Sequence, residues 1–232
     1  MNKVKFSFIV PTLNEESYIG DCLKSVRVQA RKDYEIIVVD GNSTDRTIDI
    51  ARKYGARVIF CKDKGPGAAR NAGVMHAKGS ILVFMDADVR AERDFLERVE
   101  EKLLDASVGG FICKLHSFDG HRDSYTGVHA LLKAFYMFGL VMTAGSCFVY
   151  TKDAFKDSGG FDTNLLTNED HDLARRVSKK YRFKYFDDIN IMTSSRRINR
   201  KGFFSSLYVY TKSTLVYFLK KSYVKGYWEY DY

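Results

Sequence analysis

The sequence predicts an α/β fold: a mainly parallel central sheet with helices on both faces, followed by a C-terminal helical segment. Three observations carry that expectation. Apolar runs at 6–10, 34–39 and 81–85 are nearly continuous rather than alternating, as in strands buried on both faces. Helical patterns separate them. Polar or acidic residues then follow each run at once, as Pro11-Thr12-Leu13-Asn14-Glu15, Asp40-Gly41-Asn42-Ser43 and Asp86-Ala87-Asp88. These are the carboxyl ends of strands, where open parallel sheets bind ligands.

The elements follow in order. Residues 6–10 read as the first strand, ended by Pro11. Asn14 is placed to cap a helix with Glu15 and Glu16 in its first turn and Ile19, Leu23 and Val26 on one face. A second strand at 34–39 leads through a turn at 41–45 into a helix reaching Tyr54. A short strand at 57–60, a helix at 68–78 and a fourth strand at 81–85 complete the alternation. Past about residue 105 the rhythm breaks. A strand is expected at 108–115, a polar loop at 116–124, an apolar helix at 128–142, a short strand at 147–150 and a charged helix at 169–180. The break reads as the second half of one domain over 1–200, divided near residue 105, with a distinct segment at 201–232.

A chain of 232 residues suits one domain with a sizeable core, and 45% hydrophobic with 28% charged residues excludes a disordered chain. The net charge of +8 favours anionic partners without choosing between phosphorylated small molecules, lipid headgroups and nucleic acid. Cys22, Cys61, Cys113 and Cys147 lie far apart with no Cys-x-x-Cys pair, which fits reduced thiols better than disulfides or structural zinc. The first apolar run is too short for a signal peptide, and no run reaches the roughly 20 apolar residues that span a bilayer. A cytoplasmic protein is expected.

Capping and turn chemistry accounts for any one acidic strand edge; three in succession point to a ligand. Asp86 and Asp88 leave a buried strand, where two bare carboxylates repel unless a cation neutralises them. Hard oxygen donors favour Mg²⁺ or Mn²⁺ shared with phosphate oxygens. The segment Gly65-Pro66-Gly67-Ala68-Ala69-Arg70-Asn71 opens a helix whose amides, with Arg70, are suited to phosphate or ribose; a flexible loop with a surface arginine is the plain alternative. It is not a dinucleotide fingerprint, and no phosphate loop of the G-x-x-x-x-G-K type occurs. Glu169-Asp170-His171-Asp172 opens another helix, where acidic residues are also good first-turn chemistry.

Pro11-Thr12-Leu13-Asn14-Glu15, 38–45 (VVDGNSTD), Ala69-Arg70-Asn71-Ala72-Gly73, Asp86-Ala87-Asp88, Gly159-Gly160-Phe161-Asp162 and Glu169-Asp170-His171-Asp172 occur in this order. Together they resemble the inverting family 2 glycosyltransferases, whose GT-A fold is Rossmann-like, over roughly residues 6–180. The resemblance implies a nucleotide-binding half before residue 105 and an acceptor-binding half after it. It implies a nucleoside pocket lined by Pro11, Thr12, Leu13 and Glu15, with Asp40 and Asn42 at the base, usually uracil or guanine. It places Gly67, Arg70, Asp86 and Ala87 beside the nucleotide, with Asp88, aided by Asp86, holding Mn²⁺ or Mg²⁺. Asp170, with Glu169 beside it, is implied as the base that deprotonates an acceptor. The expected reaction moves a hexose from a UDP- or GDP-sugar with inversion.

Arg196, Arg197, Arg200 and Lys201 form the densest basic cluster. The resemblance implies closure over the pyrophosphate; a solvated turn or a membrane-facing patch are the alternatives. His171 reads as solvated, and His116 and His121 around Asp119 as part of a polar loop without metal. Phe204, Leu207, Tyr208, Leu215, Phe218 and Leu219 recur at helical spacing before Lys220, Lys221, Lys225 and Trp228, which fits a helix lying on an anionic membrane and a polyprenyl- or other lipid-linked acceptor. Packing on the sheet is the competing expectation, and no nucleic-acid partner is expected. Two rival functions remain: a sugar-phosphate nucleotidyltransferase, disfavoured because no Gly-rich basic loop follows the first strand, and a non-catalytic basic binding module.

Overall fold

The computed structural model describes residues 3–119, 125–143 and 145–220. In chain order the elements are β1 (Phe6–Thr12), α1 (Ile19–Arg27), β2 (Tyr34–Asp40), α2 (Thr47–Lys53), β3 (Arg57–Phe60), α3 (Pro66–His76), β4 (Ile81–Met85), β5 (Val89–Ala91) and α4 (Phe95–Lys102). There follow β6 (Val108–Ser117), α5 (Thr126–Met137), β7 (Cys147–Thr151), α6 (Lys152–Asp157), α7 (Glu169–Val177), β8 (Arg182–Thr193), α8 (Arg196–Lys201) and α9 (Phe203–Lys220).

One eight-stranded sheet runs in the order β3-β2-β1-β4-β7-β6-β8-β5. Side chains alternate between its two faces, as a pleated strand requires. Phe8, Val10, Val38, Val83 and Met85 enter one buried cluster, with Leu23 and Val26 of α1. Ile9, Ile37, Val39, Leu82 and Phe84 enter the other, with Val74 of α3 and Leu173 of α7. This two-sided burial is what the continuous apolar runs predict.

Strand direction bears out a mainly parallel sheet, four of the seven strand pairs being parallel, and adds β7 and β5 running against the others. β3, β2, β1 and β4 are parallel, but β7 lies antiparallel to both β4 and β6, β8 is parallel to β6, and β5 closes antiparallel on β8. The sheet is mixed, because an apolar run reveals a buried strand and not its direction. Pro11 does not end β1: pairing with β4 stops at Ile9, so an amide hydrogen is dispensable beyond it, while β2 continues alongside to Thr12. Nor does Asn14 cap α1. It takes a left-handed φ of 53° and accepts the Thr44 amide at 2.9 Å, tying the loop after β1 to the loop after β2. The Glu15 and Glu16 amides repeat the link, donating to Thr47 Oγ1 and Asp45 Oδ2.

α9 is partly packed and partly exposed. Tyr217 is buried and donates to Asp172 Oδ1 at 3.0 Å, while Ser213 bonds Thr167 and Asn168. Tyr208, Leu215, Phe218 and Leu219 face outward. No helix among the described residues is long and apolar enough to cross a membrane.

Candidate active site

Register brings the predicted edges together: Thr12 lies beside Asp40, and β4 delivers Asp86 at the same end of the sheet. Asp40 is wholly buried (0% exposed). Its Oδ2 accepts the Asn42 and Ser43 amides at 2.9 and 2.8 Å, and its Oδ1 accepts the Ser43 and Thr12 hydroxyls at 2.6 and 3.2 Å. The carboxylate therefore builds the turn after β2, holding Asn42 at φ 79°, and any contact with a base would be additional to those four. Leu13 flanks this turn, against the open side of Gly41.

Asp86 and Asp88 bracket Ala87, which points into the core. The Asp86 amide donates to Ser146 O at 3.0 Å, fastening the triplet to the residue before β7. Each carboxylate meets an arginine. Arg70, expected beside the nucleotide, is inside the protein (3% exposed): one arm donates to Asp86 Oδ1 at 2.8 Å and the other to Glu169 Oε1 at 2.6 Å. The guanidinium lies 4.8 Å from the Phe148 ring centre and 5.6 Å from that of Phe161, a cation–π environment. Burial alone would lower its pKa, but Asp86, Glu169 and Asp170 outweigh it and raise it. Gly67 is where α3 meets α7: a methyl group there would touch Phe161 and Glu169.

Arg196 forms the second arginine link. Its two terminal nitrogens donate to the Glu15 carboxylate at 2.8 and 2.6 Å, and its Nε lies 3.1 Å from Asp88 Oδ2. The Tyr18 ring lies 4.7 Å away. Burial opposes its charge, yet the bond to Glu15 and the charge of Asp88 leave its pKa raised. Asp119 holds the strap that delivers it, accepting the Ser194 hydroxyl at 2.6 Å and the Ser195 amide at 2.8 and 2.9 Å. The loop aspartate thus anchors the strap. Arg200 is exposed, and the Arg197 side chain, like His121 and residues 221–232, lies outside the described residues.

Asp170 and Glu169 begin α7 and face the same centre. Both are buried, Asp170 being 8% exposed. Burial pushes the Glu169 carboxyl up to about 7, against the pull of Arg70. Burial alone would also raise Asp170, but His171, the Thr143 hydroxyl and Arg70 overcome it and hold Asp170 below the ordinary aspartate range. His171 corrects the expectation of a solvated side chain. It is buried and accepts the Thr143 amide on Nδ1 at 3.0 Å, because α7 turns this face inward against the loop before β7.

Of the expected residues, Thr12, Asp40, Glu15, Asp86, Asp88, Glu169 and Asp170 converge on one end of the sheet, joined through Arg70 and Arg196. Sequence reasoning missed Thr143, Tyr18, Asp119, Ser194 and Ser195. The last three are ordinary polar residues, and the pairing of β6 with β8 brings Asp119 to the Ser194-Ser195 pair, 75 and 76 residues on. Thr143 carries a faint signal, standing in a small-residue stretch directly before a strand, as the earlier ligand edges directly follow theirs. Among the described residues, no group of three or more His, Cys, Asp or Glu side chains forms a self-contained metal cage.

The fold is also that of solved structures. Staphylococcus aureus TarS 1–349 in complex with UDP-GlcNAc superposes with a TM-score of 0.68 at 24% identity, covering 83% of this chain and 59% of that one. The mannosyltransferase PcManGT from Pyrobaculum calidifontis, in complex with GDP-Man and Mn²⁺, gives 0.64 at 23% identity, covering 88% and 64%. Among curated proteins, a dolichyl N-acetyl-α-D-glucosaminyl phosphate 3-β-D-2,3-diacetamido-2,3-dideoxy-β-D-glucuronosyltransferase from Methanococcus voltae is 28% identical over 93% of this chain and 70% of its own length. In several other curated relatives the chain spans only 17% to 40% of their length. The stretch holding Thr12, Asp40, Arg70, Asp86 and Asp88 lies within residues 7–159, more than half of the chain, that match the model of glycosyl transferase family 2, and the chain belongs to that family.

Proposed function

We propose that the chain transfers a sugar from a UDP- or GDP-sugar to an acceptor hydroxyl or phosphate, with inversion. The observation that carries the proposal is the bridge Asp86–Arg70–Glu169, which couples the paired carboxylates after β4 to the acidic start of α7 across one site. Asp170 takes the proton of the acceptor, whose oxygen forms the new bond to the anomeric carbon as the bond to the diphosphate breaks on the opposite side. Thr12 and Asp40 form the floor under the nucleoside.

Asp88 already holds a cationic group, the Arg196 guanidinium, and its hard oxygens with those of Asp86 fit Mg²⁺ or Mn²⁺. A divalent ion there would stabilise charge on the departing diphosphate. Arg196 is on this reading a diphosphate ligand, its fork suited to phosphate oxygens once it leaves Glu15 and Asp88. Arg197 and Arg200 are proposed as further contacts of the same kind. PcManGT is complexed with GDP-Man and Mn²⁺, and the Methanococcus relative is named for a dolichyl-phosphate-linked acceptor, which supports a nucleotide-sugar donor and a lipid-linked acceptor.

The test is a thermal-shift panel of UDP-GlcNAc, GDP-Man and their nucleotides with and without Mn²⁺. A ligand that binds the folded form alone raises its melting temperature by mass action. One nucleotide series should stabilise the protein only with metal, and Asp88→Ala should abolish that shift. A full shift in Asp88→Ala would overturn the metal assignment.

A further inference from the structure

The residues that hold Asp170 come from a segment with no acidic or motif residue of its own: the loop between α5 and β7. Thr143 is buried there at 6% exposure. Its hydroxyl donates to Asp170 Oδ2 at 2.7 Å, and its amide donates to His171 Nδ1 at 3.0 Å. The hydroxyl also lies against His171 Nδ1. It has one proton, and a carboxylate oxygen is a stronger acceptor than a ring nitrogen already taken by an amide. That arrangement directs the Thr143 hydroxyl at Asp170 Oδ2 as a hydrogen-bond donor. One residue of the loop therefore grips two successive side chains of α7.

Two residues on, Gly145 approaches the same oxygen. A methyl group on Gly145 would lie 3.3 Å from Asp170 Oδ2, closer than a carbon and an oxygen sit comfortably. The loop is shaped to the carboxylate at both points, with a hydroxyl donating at one and an opening at the other.

We propose that Thr143 is the positioning residue of the catalytic base: it fixes the rotation of the Asp170 carboxylate and keeps it ionised, with its amide locking His171 alongside. The inference rests on Asp170 being the base, and its geometry stands apart from the identity of donor and acceptor. Loss of one hydroxyl donor to a buried carboxylate favours the protonated acid. A merely structural role for Thr143 would alter stability and leave the titration of Asp170 where it is.

The experiment needs no substrate. The Asp170 carboxyl carbon is followed by NMR against pH in ¹³C-aspartate-labelled protein, assigned by its loss in Asp170→Asn. Thr143→Val should move its midpoint, or the onset of its titration, upward by about one pKa unit, and Thr143→Ser should restore it. If Thr143→Val does not fold, Thr143→Ala removes the same hydroxyl without bulk and takes its place. An unmoved Asp170 titration, or a Thr143→Ser titration as high as that of the Val or Ala variant, overturns the positioning role and leaves the proposal of sugar transfer standing. Sugar transfer surviving in Asp170→Asn would instead remove Asp170 as the base, whatever the titration shows.

Discussion

At the scale of single residues, the site is a chain of charges that compensate one another. Arg70 neutralises Asp86 and Glu169 from inside the protein, and Arg196 does the same for Asp88 and Glu15 from the strap. The exception is Glu169, which burial raises to about 7 from an ordinary value near 4.5. In the folded protein it keeps its proton to higher pH than in the unfolded chain. Between those two values folding takes up a proton, so this group's contribution to stability falls as pH rises through the window and is most unfavourable above pH 7. Glu169→Gln is neutral throughout and lacks that slope. Urea unfolding at pH 5 and pH 8 should therefore show the variant gaining about 2 kcal/mol on the wild type between the two conditions. A difference that stays constant with pH would show that Glu169 is ionised in the folded protein at pH 5.

At the scale of elements, α3 owes its place to a glycine. A methyl group on Gly73 would meet Ile9 Cγ2 at 2.4 Å and Val39 Cγ2 at 3.1 Å, so the helix lies directly on β1 and β2 at this point. Gly73→Ala must push the helix away, and overpacking of that kind costs about 1–3 kcal/mol. It also shifts Arg70, one turn earlier on α3. Chemical denaturation should show the loss, and a variant as stable as the wild type would mean that α3 yields without cost. Such contacts explain what could be read in advance. The apolar runs of β1, β2 and β4 and the polar residues that follow them are local signals, and they survive into the fold with small boundary changes. β8, running from Arg182 to Thr193, was hidden because it is half exposed and carries charges at Lys184, Asp187 and Asp188. α4 and α6 are short and amphipathic beside stronger signals. The carboxylates at the ends of β1, β2 and β4 were legible because strand ends advertise them, whereas Glu169 and Asp170, at the start of α7, read equally as first-turn chemistry. The partners of those carboxylates were not: the Arg70–Glu169 pair joins residues 99 apart in sequence, and burial of Arg70 depends on where α7 docks.

At the scale of the molecule, the question is what the outer face of α9 meets. The helix is tied down by Tyr217 and Ser213, yet Leu215 and Leu219 are 57% and 73% exposed, with Tyr208 beside them. At the end of α5, Met137 and Phe138 are 84% and 80% exposed. Exposed apolar side chains on a chain with a net charge of +8 are the combination that favours an anionic bilayer surface, where burial of leucine and phenylalanine adds to attraction of the basic residues. Membrane contact of this kind would bring a lipid-linked acceptor to the α7 side of the site, because α9 packs on Asp172 and Asn168 next to Asp170. The expected outcome is co-flotation with vesicles containing anionic phospholipid, weaker with neutral vesicles and weaker again in high salt as screening increases. Leu215→Glu together with Leu219→Glu should release the protein without unfolding it, since Tyr217 and Ser213 hold the opposite face. Protein that stays at the bottom of the gradient with anionic vesicles would remove the membrane from the account, and a double variant that floats as the wild type does would move the contact away from α9.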